Sequence, residues 1–369
     1  MSGSPEDGKE GAGKVPAVGR AVAVLADLAA HGPAPLAALS RRVGIPKSTL
    51  LGICQALVEE RLLQQDEHGR YTLGLALAEL ASAQMRNPPG IRLLGVAVPD
   101  TANPFYAVEL RTLRHQCDLT GIDMVAMDAG QDARTQAGQV GELVRTGVDA
   151  IVLDAVHSAH VRGAVRAARD AGIPVIAVNA GAEGADACVT TDNVQAGQLA
   201  GQYLAGLLDG PAEIAIIDGR PVTATADRVA GFMSVLREHP AIRVVARERG
   251  DHTPHSGALI AAKLLDGHPR LAGFFGINDP TSEGILAAQA ARGRSLPVVS
   301  VDGSAAATTA IATGGPLKAT AAQDPARLAH LALRLAGRMR AGEPLTTRVR
   351  LLPTTLITAA NADDYHPWG

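Results

Sequence analysis

Nine short apolar runs, each closed by a polar or glycine-containing turn, constrain this chain more than any other feature of its 369 residues. They are LLGVAVP, IDMVAMD, AIVLDAV, IPVIAVNAG, AEIAIIDG, IRVVARERG, LAGFFGIND, LPVVSVDG and LKATAAQD, and a stretch of helical period generally follows each. Runs this continuously apolar are strands buried on both faces. Their alternation with helices implies an α/β fold of parallel sheets covered on each side. In such sheets ligands bind beyond the carboxyl ends of the strands. The repetition starts after the helix-breaking RNPPG of residues 86–90 and continues for roughly 280 residues, large for one sheet, so two similar lobes are expected.

The chain before that break has a different rhythm. Residues 1–14 are rich in Gly, Ser and charge and predict a disordered tail. Residues 15–83 are helical in pattern and close with a short β-ribbon and one more helix. PLAALSRRV (35–43) is a short amphipathic helix with Leu36, Leu39 and Val43 inward, and Gly44 supplies a turn. Pro46, favourable at a first helical position, opens a second helix that runs through KSTLLGICQALVEERLL. Leu50, Ile53, Cys54 and Leu57 share one face of it; Ser48, Gly52 and Gln55 lie opposite, with Lys47 and Thr49 near the start. A polar outer face on the second helix of such a pair is what a major-groove reader presents. LLQQDEHGRYTLG then reads as a hairpin wing with Arg70 near its tip. Arg41, Arg42, Lys47 and Arg70 are placed to meet phosphates. Residues 15–90 carry only seven Lys/Arg against six Asp/Glu, so DNA binding is expected to be salt-sensitive without a broad basic surface.

The pieces GRAVAVL, GIPKST, LVEERLL and GRYTLG stand in an order and spacing that resembles the IclR-type winged helix-turn-helix along its whole length. The resemblance implies a DNA-binding domain. Gly52 departs from it, because such domains often carry a basic side chain there. IclR-type regulators normally continue into another kind of effector domain, and this chain does not.

A sugar or polyol presents apolar C–H faces and a ring of hydroxyls, so its site needs aromatic plates together with amide, carboxylate and guanidinium groups. Such groups recur just after the expected strand ends: Asn103, Phe105, Tyr106, Asn179, Arg228, His252, Asn278, Asp302 and Gln323. Phe105 and Tyr106 are adjacent in a chain that is only 2% aromatic. Any one of these residues could instead cap a helix or fill the core, and Asp192-Asn193 reads as such a cap. The segment PDTANPFY (99–106), with the βα rhythm, resembles ribose-binding proteins and the ligand-binding domains of LacI/GalR regulators over residues 91–360. That resemblance implies ligand contacts at Asn103, Phe105, Tyr106, Arg228, Asn278, Asp302 and Gln323, with charge-assisted bonds from Arg228 and Asp302. Two positions depart: the usual Asp-Arg after the fourth strand of the repeat is Asn179-Ala180, and an aromatic after the sixth is His252. The loss of a carboxylate and a guanidinium turns the expectation from a pyranose toward a smaller or modified polar ligand.

The remaining features exclude other classes. No GxGxxG opens the first βα unit, and Walker, GxSxG and HExxH motifs are absent, so no enzyme, cofactor or metal is expected. Cys54, Cys117 and Cys188 are far apart and form no CxxC pair, which predicts reduced thiols in the cytoplasm. The first residues hold no apolar signal segment, and no run reaches membrane-spanning length. A secreted transport receptor is therefore disfavoured. The expected organisation is a tail (1–14), a winged helix-turn-helix (15–83), a linker (84–90) and a two-lobed domain (91–369). Lobe one would hold residues 91–193 and 324–352, and lobe two residues 194–323 and 353–360. The expected function is a homodimeric, ligand-responsive regulator, a repressor by family analogy, whose partners are operator DNA and a sugar or polyol.

Overall fold

The structure is a computed structural model, and it describes residues 16–66, 68–74, 76–77, 90–208 and 210–368. The chain forms two compact units, Met1–Arg86 and Asn87–Gly369. The expected tail, most of the helix after the wing and the linker up to residue 89 lie outside the described residues.

The first unit consists of α1 (Pro16–His31), α2 (Leu36–Val43), α3 (Lys47–Glu59) and the hairpin β1 (Leu63–Gln65) and β2 (Tyr71–Leu73). Gly44 adopts φ 67° between α2 and α3, a conformation glycine enters without Cβ strain. Val24, Leu28, Leu39, Leu50, Cys54, Leu57, Leu63 and Tyr71 form one core. The sequence pattern carries α3 on through Leu62 and Leu63. The structure instead ends it at Glu59, and Arg61 at φ 58° turns the chain. Leu63 thereby enters β1, opposite Leu73, and is buried from the hairpin rather than from the helix. An isolated bridge between Ala34 and Tyr71 ties the α1–α2 connection to the wing.

The second unit holds two six-stranded sheets. The first is built in chain order from β3 (Leu93–Val98), α4 (Pro104–Thr120), β4 (Asp123–Asp128), α5 (Ala133–Thr146), β5 (Ala150–Leu153), α6 (Arg162–Asp170), β6 (Val175–Val178) and β7 (Ala187–Thr191). The chain then passes through α7 (Asn193–Leu207) into the second sheet. That sheet takes β8 (Ala212–Asp218), α8 (Thr223–Leu236), β9 (Ile242–Arg249), α9 (Pro254–Gly267), β10 (Leu271–Gly276), α10 (Asp279–Ala290), β11 (Val298–Asp302), α11 (Ala305–Ala312) and β12 (Leu317–Ala322). It returns as α12 (Pro325–Arg340) and β13 (Val349–Leu352) on the first sheet, then crosses again to β14 (Thr355–Thr358) on the second.

The strand orders are β13-β7-β6-β5-β3-β4 and β14-β12-β11-β10-β8-β9; all neighbours are parallel except β12 and β14. Each lobe has an apolar cluster on either side of its sheet, which is why strands such as β5 and β6 are buried at every residue. The nine apolar runs correspond to nine strands of these sheets. Three further strands, β7, β13 and β14, fall outside them, because their sequences ACVTT, VRLL and TLIT alternate or face water and so lack a fully buried strand's signature. No described helix is long and apolar enough to cross a membrane.

Candidate functional site

The three passages between the lobes bring the carboxyl ends of both sheets to face one another. A narrow cavity lies between them. All nine sequence-predicted positions line it. Asn103, Phe105 and Tyr106 come from the start of α4, and Asn179 follows β6. Arg228 projects from α8, His252 follows β9, Asn278 follows β10, Asp302 ends β11, and Gln323 sits where the chain leaves β12.

The backbone around the cavity is unusual. Among the described residues five non-glycine residues have positive φ, and four of them, Gln131 (65°), Asn179 (56°), His252 (71°) and Asp302 (137°), line this cavity. Sparsely populated backbone persists where surrounding structure enforces it, and it gathers at binding sites.

Arg228 and Asp302 form the charged centre. The guanidinium donates from Nε to Asn193 Oδ1 (2.8 Å) and from Nη1 to the Ile277 carbonyl (2.9 Å), and lies 3.6 Å from Asp302 Oδ1. Both side chains are 6% exposed. Close packing of α7 on α8 places the arginine, since Gly197 leaves no room for a Cβ beneath the Arg228 carbonyl. Asp302 also accepts from Gln323 Nε2 (2.7 Å). Burial pushes its carboxyl up to about 7 against the opposing pull of Arg228. His252 Nε2 meets Thr225 Oγ1 at 3.1 Å, and burial draws its pKa down to about 3, so the ring is neutral.

Several candidates also serve as caps. Asn103 Oδ1 accepts from the Phe105 amide (3.0 Å), and Asn278 Oδ1 from the Thr281 amide (3.0 Å). Their amide groups can still face a ligand, because one oxygen contact uses only part of a side chain's capacity. Asp192 caps α7 by accepting from the Gln195 amide, as its sequence position suggests. Asn193, expected to share that role, does not cap: it is the first residue of the helix, and its Oδ1 accepts from Arg228 and holds the guanidinium in place.

Four polar residues on the cavity wall are absent from the sequence-based set: Gln131, Asp154, Arg220 and Thr225. Asp154 had a readable signal, since it follows β5 at the end of AIVLD as Asp302 ends VVSVD. It is 1% exposed, and its Oδ2 accepts from Asn179 Nδ2 at 3.1 Å. Three side-chain oxygens of this wall, Asp154 Oδ1, Asn179 Oδ1 and Gln323 Oε1, are buried without a hydrogen-bond partner. Arg220 Nε on the same wall is likewise unpartnered, so an occupant of the cavity is called on for donors and for an acceptor.

The lobes also touch directly. The Gly181 amide donates to Thr223 Oγ1 (2.7 Å), and the Thr223 amide to Ser158 Oγ (3.3 Å). A second contact involves the chain's one tryptophan. Trp368 Nε1 donates to the Asp302 carbonyl (3.1 Å) in one lobe, while its ring packs edge-on against Phe105 in the other, centroids 5.7 Å apart.

In the first unit, Lys47, Ser48, Thr49, Gly52 and Gln55 lie on the exposed face of α3. Nothing stands within 4 Å of where a Gly52 Cβ would project. Arg42 is clamped to Asp27 of α1 (2.7 Å from Nη2), and Arg70 to Asp66 across the wing (2.7 Å). Arg41 is exposed and has no ion-pair partner among the described residues.

Two parallel-sheet lobes that close on a polar cavity define a hinged binding protein. Residues 94–344 match the periplasmic binding protein domain, and the chain belongs to that family. Residues 17–67 match the IclR helix-turn-helix domain, so the two are fused in one chain. A ribose import binding protein of Bacillus subtilis is 29% identical over 242 residues, covering 65% of this chain and 78% of the relative. A D-apiose import binding protein of Paraburkholderia graminis is 28% identical, over 73% of this chain and 88% of the relative. Among solved structures, a solute binding protein of Mycobacterium smegmatis with bound glycerol superposes with a TM-score of 0.71 at 28% identity, covering 74% of this chain and 96% of that one. Another, from Bacillus halodurans with bound myo-inositol, gives 0.69 at 25% identity, covering 75% and 97%.

Proposed function

We propose that this chain is a transcription regulator whose affinity for operator DNA is set by a sugar, polyol or similar small polar metabolite. The observation that carries the reading is the pairing, in one chain, of an IclR helix-turn-helix whose α3 exposes an uncharged-to-basic face with a two-lobed cavity lined by polar strand-end groups. Relatives named for ribose and D-apiose import, and neighbours holding glycerol and myo-inositol, support a hydroxylated ligand. Phe105 and Tyr106 cover its apolar face, Arg228 and Asp302 anchor hydroxyls, and Asn103, Asn179, His252, Asn278 and Gln323 complete the ring of polar contacts.

Ser48, Thr49 and Gln55 read base edges, while Arg41 and Lys47 contact phosphates. Arg42 and Arg70 first have to leave Asp27 and Asp66, so they contribute less to phosphate binding than Arg41. The protein works in the cytoplasm as a homodimer joined through its second units, and as a repressor that releases DNA on binding ligand. No chemical step is assigned to the cavity, which binds without activating water.

Selection of DNA from a random pool by the full chain tests this reading. The expected outcome is a pseudo-palindrome whose half-sites are spaced by whole helical turns. No enrichment over a control protein would refute it.

A further inference from the structure

The first lobe buries two carboxyls at its cavity wall, and no Lys or Arg side chain hydrogen-bonds to either. Glu109 lies on α4 one turn after Tyr106 and is 0% exposed, and neither of its carboxyl oxygens has a hydrogen-bond partner. A glutamate on an amphipathic helix normally faces water; this one occupies the inward face with Phe105, Val108 and Leu113. It acts electrostatically on Asp154, 1% exposed, whose Oδ1 is also unpartnered and which lines the cavity. Independently, Asn179, 8% exposed, lines the same cavity with its Oδ1 unpartnered while its Nδ2 is committed to Asp154.

The cavity's cations stand elsewhere. Arg220 and Arg228 belong to the second lobe, and Arg228 is already engaged by Asn193, Ile277 and Asp302. Its pull on Asp154 is weaker than the opposing effects of burial and Glu109. Two buried carboxyls without a cation are costly unless a proton or a bound positive charge compensates them. A metal ion does not fit, since among the described residues no group of three His, Cys, Asp or Glu could hold one. A hydroxyl would satisfy Asn179 but leave the carboxyls to be held neutral by protons, whereas an ammonium supplies several N–H donors and a positive charge that lets Asp154 give up its proton.

We propose that the cavity selects a hydroxylated ligand bearing a protonated amine, an amino sugar or amino polyol, with the amine seated against Asp154 and Asn179 and Glu109 behind them. The inference rests on the polyol-binding reading above and narrows its ligand class. The carboxyl group is relocated rather than lost: where the ribose-binding pattern has Asp-Arg after the fourth strand, this chain has Asn179-Ala180, and Asp154 stands at the end of the neighbouring strand.

Isothermal titration of the full chain with matched pairs tests it: D-glucosamine against D-glucose, D-galactosamine against D-galactose, and 1-amino-1-deoxysorbitol against sorbitol. The expected result is that at least one amine binds tenfold or more tightly than its neutral partner. Asp154→Asn should abolish that preference and Glu109→Gln should reduce it, with each variant's unliganded melting temperature checked first. Equal or tighter binding of the neutral partners overturns the amine but leaves the polyol reading standing, as does an amine preference that survives Asp154→Asn. If no member of either set binds, the inference and the polyol reading fall together. The comparison on the unmodified chain decides the matter even if a variant fails to fold.

Discussion

Glu109 also makes the stability of the unliganded protein depend on pH in a definite direction. Burial raises its carboxyl from 4.5 to about 8, so the folded chain keeps a proton that the unfolded chain releases. Between those values the folded state binds more protons, and stability falls as pH rises. Asp302, raised to about 7, adds to the same decline. Glu109→Gln should therefore melt with a shallower pH dependence and be the more stable form at pH 8; thermal scans at pH 5.5 and 8 check this. Parallel pH profiles for the two proteins would contradict it. Arg228→Ala removes charge-assisted bonds of about 1.5–3 kcal/mol each, so ligand affinity should fall roughly 10- to 100-fold or more. Calorimetry of the variant with a ligand identified on the unmodified chain checks this. The strand-end candidates were legible because their residue types follow apolar runs. Glu109 was not, since a glutamate in a helical segment reads as a solvated face, and only the packing of α4 turns it inward. Asp154 was legible in AIVLD but was missed, and Arg220 lies in a loop with no periodic signal.

At the scale of elements, the lobes are held together by contacts that sequence separation hides. Trp368 stands 263 positions from Phe105, yet bonds the Asp302 carbonyl and rests on the Phe105 ring. Losing the ring contact costs about 0.5–1.5 kcal/mol and losing the hydrogen bond a similar amount. Trp368→Ala should thus weaken ligand binding by up to about 5- to 150-fold by disfavouring the closed form, and Trp368→Phe should recover part of the loss. The single tryptophan allows a direct check: ligand should alter its fluorescence and lower its quenching by acrylamide. Quenching that ligand leaves unchanged would remove Trp368 from the closure. In the first unit the legible element is α3, whose buried and exposed faces follow its pattern, while its end at Glu59 depends on the turn at Arg61. Ser48→Ala with Gln55→Ala should cost about 1–3 kcal/mol per lost base contact and relax sequence preference, measurable by binding to the selected DNA. Unaltered preference would exclude α3 as the reader. The strands β7, β13 and β14 were illegible because edge and hinge positions replace continuous apolar runs with Thr, Arg and alternation.

At the scale of the whole molecule, a ligand regulates DNA binding only to the extent that it binds the closed lobes more tightly in one DNA-binding state than in the other. A coupling of about 1–3 kcal/mol corresponds to a change of roughly 5- to 150-fold in operator affinity, and the proposed dimer would apply it to two half-sites together. The two-lobe architecture was legible in the βα rhythm and the helix-turn-helix unit in four linked motifs. The coupling between them was not, because the residues expected to join the units carry no pattern beyond a break at RNPPG. The central claim is tested most directly by fluorescence anisotropy of the full chain on its selected DNA, with and without a saturating ligand that stabilises the protein. The account predicts that ligand weakens binding tenfold or more, and that Asp302→Ala keeps DNA affinity while losing the response. An operator affinity that is the same with and without such a ligand would contradict it.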